Sequence, residues 1–330
     1  MKNNNGLRLK LIFIRAFLAG LLTLTAFTSD AGIDSFGYQL QDFDQDALRD
    51  SHLGLVIVDY SSDGTQDGAL THEAVDAIRS KTGKKVVAYL SIGEAEDYRY
   101  YFVPGWIRGK GCPRPLSSSA PKWLDKENSA WCGNFKVRYW DARWQKIILG
   151  GGVDAPASYL DRIIDAGFDG VYLDIIDGYE YWRYEKPRGQ RKASAAYDMA
   201  NFVIKISQYA RQTRGKKDFL IIPQNGEGII DEIPEALVSA YFDAIDAIGS
   251  EDAFFPGHRD ENNAFSPREA VLSVLDRYRK AGKTVLSIEY LTDPVKIGQF
   301  KEKACARGFI PQVAYRALDS LDAETLIGCN

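Results

Sequence analysis

Seven short runs of aliphatic and β-branched residues, nearly all stopping on a polar or charged side chain, alternate with amphipathic stretches along the chain. They are LGLVIVDY (53–60), KVVAYLSIG (85–93), GVYLDII (170–176), FLIIPQN (219–225), DAIDAIGSE (243–251), TVLSIEY (284–290) and FIPQVAYR (309–316). This rhythm implies parallel strands joined by helices. FGYQLQ (36–41) and KVRYWD (136–141) are weaker strand candidates. Nine candidates for eight places point to an α/β fold, a single (β/α)8 TIM barrel with one run serving as an extra or edge strand. A doubly wound open sheet is the alternative. The polar stops favour the barrel, because the C-terminal strand ends of such a barrel form one functional face. Asp59, Glu94, Glu96, Asp141, Asp174, Asp177, Asn225, Glu251, Glu289 and Arg316 all fall at those ends.

The 330 residues carry no low-complexity linker, so one domain over 32–330 is expected after a separate N-terminus. There, Lys2, Arg8 and Lys10 precede the apolar run 11–27, and small residues follow, which is the layout of a secretory signal peptide over residues 1–31. Arg15 breaks the run below the roughly 20 residues a membrane span needs. A secreted or periplasmic protein, without stable membrane insertion after cleavage, is therefore expected. Cleavage leaves 37 Lys and Arg against 44 Asp and Glu, a formal charge of −7, which disfavours nucleic acid as a partner. Four cysteines in an exported chain suggest disulfides. Cys112–Cys132, closing a Pro- and Ser-rich excursion, and Cys305–Cys329 are the favoured pairs, with four free thiols as the alternative. His52, His72 and His258 are isolated and no C-x-x-C is present, so neither metal nor other cofactor is expected.

A carboxylate-lined, aromatic-rich face without a histidine base, a cysteine nucleophile or a phosphate loop suits glycoside hydrolysis, which needs two positioned carboxyl groups. Aromatic rings near the strand ends, Tyr139, Tyr172, Trp182, Tyr290 and Tyr315 among them, offer flat surfaces to sugars. PQNGEG (223–228) follows a strand but matches neither the dinucleotide nor the P-loop pattern. Two other readings stay open: a non-catalytic carbohydrate- or cell-wall-binding barrel, and an exported amidase or deacetylase acting on a polymer.

AYLSIGEAEDYR (88–99), VRYWDARWQKII (137–148), GFDGVYLDIID (167–177), PQNGEGII (223–230) and GSEDAFF (249–255) resemble, in order, the TIM-barrel domain of glycoside hydrolase family 114. The likeness is nearest to its bacterial and archaeal branch, formerly described as cysteinyl-tRNA synthetase-related. The resemblance implies endo-α-1,4-polygalactosaminidase-like activity on a polysaccharide or oligosaccharide, with a cationic amino sugar as its unit. It places the catalytic aspartate on Asp174 and the catalytic glutamate on Glu251, although Asp252 and Ala253 follow where the family has a polar residue and cysteine. Asp174 is expected as an ionised nucleophile and Glu251 as the general acid/base, with Phe254 and Phe255 as an apolar wall. Asp59, Glu96, Tyr139, Asp177, Asn225, Glu289 and Tyr315 are expected to bind sugar groups, with Glu289 the reserve acid/base.

Overall fold

The computed structural model describes residues 33–79, 83–150, 157–321 and 328–329, and Ile33–Asn330 form one compact unit. The expected export signal over 1–31 lies outside the described residues. Eight strands run parallel: β1 (Phe36–Tyr38), β2 (Leu55–Asp59), β3 (Lys85–Ser91), β4 (Gly170–Asp174), β5 (Leu220–Pro223), β6 (Ala247–Glu251), β7 (Thr284–Tyr290) and β8 (Ile310–Ala314). β1 to β5 pair in chain order in one ladder, and β6 to β8 pair in chain order in a second. A Gln224–Gly249 bridge and the Asn225 N–H donating to Gly249 O (2.8 Å) join β5 to β6. At the other seam, past the ends of β8 and β1, Leu40 N–H donates to Leu318 O (2.8 Å). The result is an α/β barrel.

Each strand is apolar on both sides because each side meets a different core. Phe36, Leu55, Val87, Tyr172, Ile222 and Leu286 fill the barrel interior. Residues of opposite parity, such as Val56, Val86, Leu173, Ile221 and Val285, pack in the outer core with the helices. Side chains alternate across a strand, so this parity decides which strand-end residues face the interior axis.

The ninth candidate run resolves as the extra one. Asn134–Val137 forms an antiparallel sheet with Glu94–Glu96 and Leu124–Glu127, inside the long excursion between β3 and β4. Its last residue, Asp141, ends no barrel strand: it caps helix Ala142–Leu149 by accepting from Arg143 N–H. Cys112–Cys132 closes the excursion and Cys305–Cys329 ties the tail to helix Pro294–Ala306, as the spacing suggested.

Interior packing also explains one glycine. A Cβ at Gly249 would stand 1.9 Å from the Tyr172 hydroxyl, which is buried without a hydrogen-bond partner among the described residues. Gly249→Ala is expected to cost about 1–3 kcal/mol through overpacking, read as a lower denaturant midpoint. Adding Tyr172→Phe should recover part of the loss; no recovery would place the strain elsewhere.

Candidate active site

The C-terminal ends of the barrel strands open into a cleft of ≈ 820 Å³. Asp174 ends β4 and Glu251 ends β6; both line the cleft, with the interior parity of Tyr172 and Gly249. The residues just beyond β4 and β6, and Asn225 between them, turn sharply: Ile175, Asn225 and Asp252 have φ of 60°, 56° and 53°. For a β-branched residue such as Ile175 this conformation is strained, on the order of 1–3 kcal/mol. The turn at Ile175 also requires Gly93, where a Cβ would lie 2.3 Å from Ile175 O. Strain is thus concentrated around the two carboxylates.

Asp174 accepts from the Tyr89 hydroxyl at 2.5 Å and from Ile175 N–H at 2.7 Å. Burial pushes its carboxyl up to about 8; the Tyr89 bond opposes this and the Glu251 charge adds to it. Burial thus works against the ionised nucleophile expected at Asp174. Glu251 is gripped by Asn225, whose Nδ2 donates to Oε2 at 3.0 Å while its Oδ1 accepts the Glu251 N–H at 3.0 Å. The Tyr290 hydroxyl donates to Glu251 Oε1. Arg316 lies 3.6 Å from the Tyr290 ring centroid and is ion-paired with Asp252 at 3.0 Å.

Three of the expected sugar ligands are already engaged. Arg99, wholly buried, makes a bidentate pair with Asp59 (2.6 and 2.8 Å) and reaches Glu96 at 2.7 Å. Burial pushes the Asp59 carboxyl up and Arg99 pulls it back only in part. Both carboxylates still line the cleft. Asn225 also lines it, but its amide holds Glu251. Asp177 is accessible from the cleft and takes no ion pair among the described residues. The walls around it thin its solvation and push its carboxyl up to about 6, against the pull of Lys136.

Glu289, Tyr139 and Tyr315 are not in the cleft lining. Glu289 has the outward parity of β7, opposite to Tyr290, and accepts the backbone N–H groups of Phe254 (2.6 Å) and Phe255 (3.1 Å). Those phenylalanines pack in the outer core and form no wall beside Glu251. Tyr139 is buried and donates to Ala195 O at 2.9 Å. Tyr315 lies one place beyond β8 and is half-buried. Sequence reasoning missed Tyr38 and Gln224 as lining residues, joined by a 3.3 Å hydrogen bond, although the period of two along β1 and β5 marks both as interior.

The carboxylate pair at the mouth of the barrel is the candidate site, and comparison with known proteins gives the family of the chain. The model of glycoside-hydrolase family GH114 matches residues 23–325. The chain belongs to that family. A Methanocaldococcus jannaschii protein of uncharacterized function is 35% identical over 296 residues, covering 87% of this chain and 78% of its own. A Thermotoga maritima relative, also uncharacterized, is 36% identical over 297 residues, covering 87% and 82%. Among solved structures, the glycoside hydrolase domain of PelA from Pseudomonas aeruginosa superposes with TM-score 0.58 at 18% identity, over 90% of this chain and 99% of that one. Aspergillus fumigatus Ega3, solved with galactosamine, gives 0.60 at 16% identity, over 92% and 98%. These two share the barrel fold.

The opposite parities of Glu251 and Glu289 give a direct contrast. Glu289→Ala leaves two buried N–H groups without an acceptor and should cost about 2–4 kcal/mol, whereas Glu251→Gln should change stability by less than about 1 kcal/mol. Chemical denaturation measures both, and equal losses would contradict the outward placement of Glu289.

Proposed function

We propose that this protein is an exported glycosidase that cleaves α-1,4-linked galactosamine-containing polysaccharide through Asp174 and Glu251. The observation that carries the reading is which carboxylates of the cleft lack a cation. Arg99 neutralises Asp59 and Glu96, Lys136 pairs with Glu94 at 2.6 Å, and Arg316 pairs with Asp252. Asp42, Asp63, Asp174, Asp177 and Glu251 all line the cleft and take no ion pair among the described residues. A cleft so arranged attracts cations, and the protonated amine of a deacetylated amino sugar is one. Galactosamine is the sugar in the Ega3 structure, which supports that choice of unit. No helix among the described residues is long and apolar enough to cross a membrane; export itself rests on the leader at 1–31.

The cation also answers the protonation of Asp174. A nucleophile must be ionised, and burial holds this carboxyl at about 8 in the unliganded cleft. A sugar ammonium entering beside it favours the carboxylate and lowers that value, so substrate charge prepares the nucleophile. Asp174 then attacks the anomeric carbon, Glu251 protonates the leaving oxygen, and Glu251 next deprotonates the water that frees the sugar, with retention of configuration.

Purified protein should release reducing ends from partly deacetylated galactosamine polymer, and Asp174→Asn and Glu251→Gln should each lose about 10²–10⁴-fold in kcat. Variants matching an active parent would overturn the Asp174 and Glu251 assignment, and a parent that releases no reducing ends would favour a binding barrel. The pH profile has a definite sign: kcat/KM, which reports the free enzyme and needs one carboxyl of the pair protonated, should fall through a limb near 8, set by Asp174. The limb in kcat, which reports the complex, should lie at lower pH. A kcat/KM with no alkaline limb near 8 would contradict the raised Asp174 carboxyl.

A further inference from the structure

Trp131 stands apart from the other tryptophans. Trp106, Trp123, Trp140, Trp144 and Trp182 each pack a ring against another aromatic. Trp131 makes no such contact among the described residues, is 57% exposed, and lines the cleft. An indole costs free energy when left in water, and here its backbone is held firmly in place. Cys132, the next residue, is bonded to Cys112. Asn134 N–H donates to Trp131 O (3.1 Å), and Asn128 N–H donates to Asn134 O (2.7 Å), closing the turn. Asp97 N–H donates to Gly133 O (2.9 Å), which fastens the turn to the Glu94–Glu96 strand. The ring is thus presented to the cleft on a fixed support.

A second observation lies in the same wall of the cleft. Glu94 is buried, and its Oε1 meets both Lys136 (2.6 Å) and Asn128 Nδ2 (3.1 Å). Its Oε2 has no hydrogen-bond partner among the described residues. A buried carboxylate oxygen without a donor is costly, and a donor arriving with a ligand would complete it. Asp177, accessible and unpaired, adds a free negative charge to the same lining.

We propose that the disulfide-closed turn 128–134 and Asp177 form an outer sugar subsite, adding to the ring held at Asp174 and Glu251. Trp131 carries the C–H face of a pyranose beyond the two that flank the scissile bond, and Asp177 takes that sugar's ammonium group. An aromatic face gives affinity with less ordering cost when its backbone support is already fixed. The subsite rests on the amino-sugar reading above and makes the protein prefer polymers to short fragments.

The test is calorimetric binding of galactosamine oligomers of two and six units to the full chain carrying Asp174→Asn, which blocks turnover. Adding Trp131→Ala should weaken hexamer binding roughly three- to tenfold and leave the dimer, held at the carboxylate pair, unaffected. Trp131→Tyr should restore most of the hexamer affinity. Adding Asp177→Asn instead should narrow the preference for the free-amine hexamer over its N-acetylated form. Hexamer and dimer binding that both ignore Trp131→Ala, or a loss equal for the two lengths, would overturn the subsite alone. A parent variant that binds neither oligomer would overturn the amino-sugar reading together with the subsite.

Discussion

A strand buried on both faces can place polar chemistry only at its tip. In this barrel the inner faces of the eight strands form one apolar cluster and the outer faces another, so residues such as Tyr172 and Leu173 are committed to opposite cores. Side-chain parity then decides the fate of each terminal carboxylate. Asp174 and Glu251 have inward parity and open on the cleft. Glu289 has outward parity, and its carboxyl oxygens are spent on two backbone N–H groups that fix the turn after β6. One residue of register separates a site carboxylate from a structural clamp.

Electrostatic pairing makes the second selection. The cleft lining is rich in acids, yet Arg99, Lys136 and Arg316 cancel much of that charge from within the wall. Arg99 does so at greatest depth, crossing from the excursion to the end of β2 and satisfying two carboxylates with one guanidinium. What remains uncancelled lies where a substrate would sit. Desolvation raises Asp174 there, so the acidity of the cleft is latent until a cation enters. Under the proposed function, substrate charge and catalytic ionisation become one linked event.

Much of this was legible in the sequence. The alternation of apolar runs and helices gave the barrel, the even cysteines gave both disulfides, and GVYLD gave the strand that carries Asp174. The failures have physical causes. KVRYWD has a strand-like composition, but its chain enters an antiparallel excursion, and no local propensity distinguishes that from a barrel strand. Tyr139 was read as a sugar platform from its position, whereas its ring is buried and its hydroxyl satisfies Ala195 O. Glu289 was readable in principle, since Leu286, Ile288 and Tyr290 alternate with it. The Arg99 pairing was not, because it joins residues 40 apart through tertiary contact. Trp131 carried no pattern of its own; only the cysteine beside it hinted that its place was fixed.

The central claim is that Asp174 and Glu251 work as nucleophile and proton donor in a cleft made acidic for a cationic sugar. Trapping the intermediate tests it most directly. An activated 5-fluoro galactosaminyl fluoride should leave one sugar covalently attached, and peptide mass mapping should find it on Asp174. Attachment to Glu251 would reverse the assigned roles. An actively hydrolysing enzyme that accumulates no adduct and inverts the anomeric configuration would contradict the covalent mechanism.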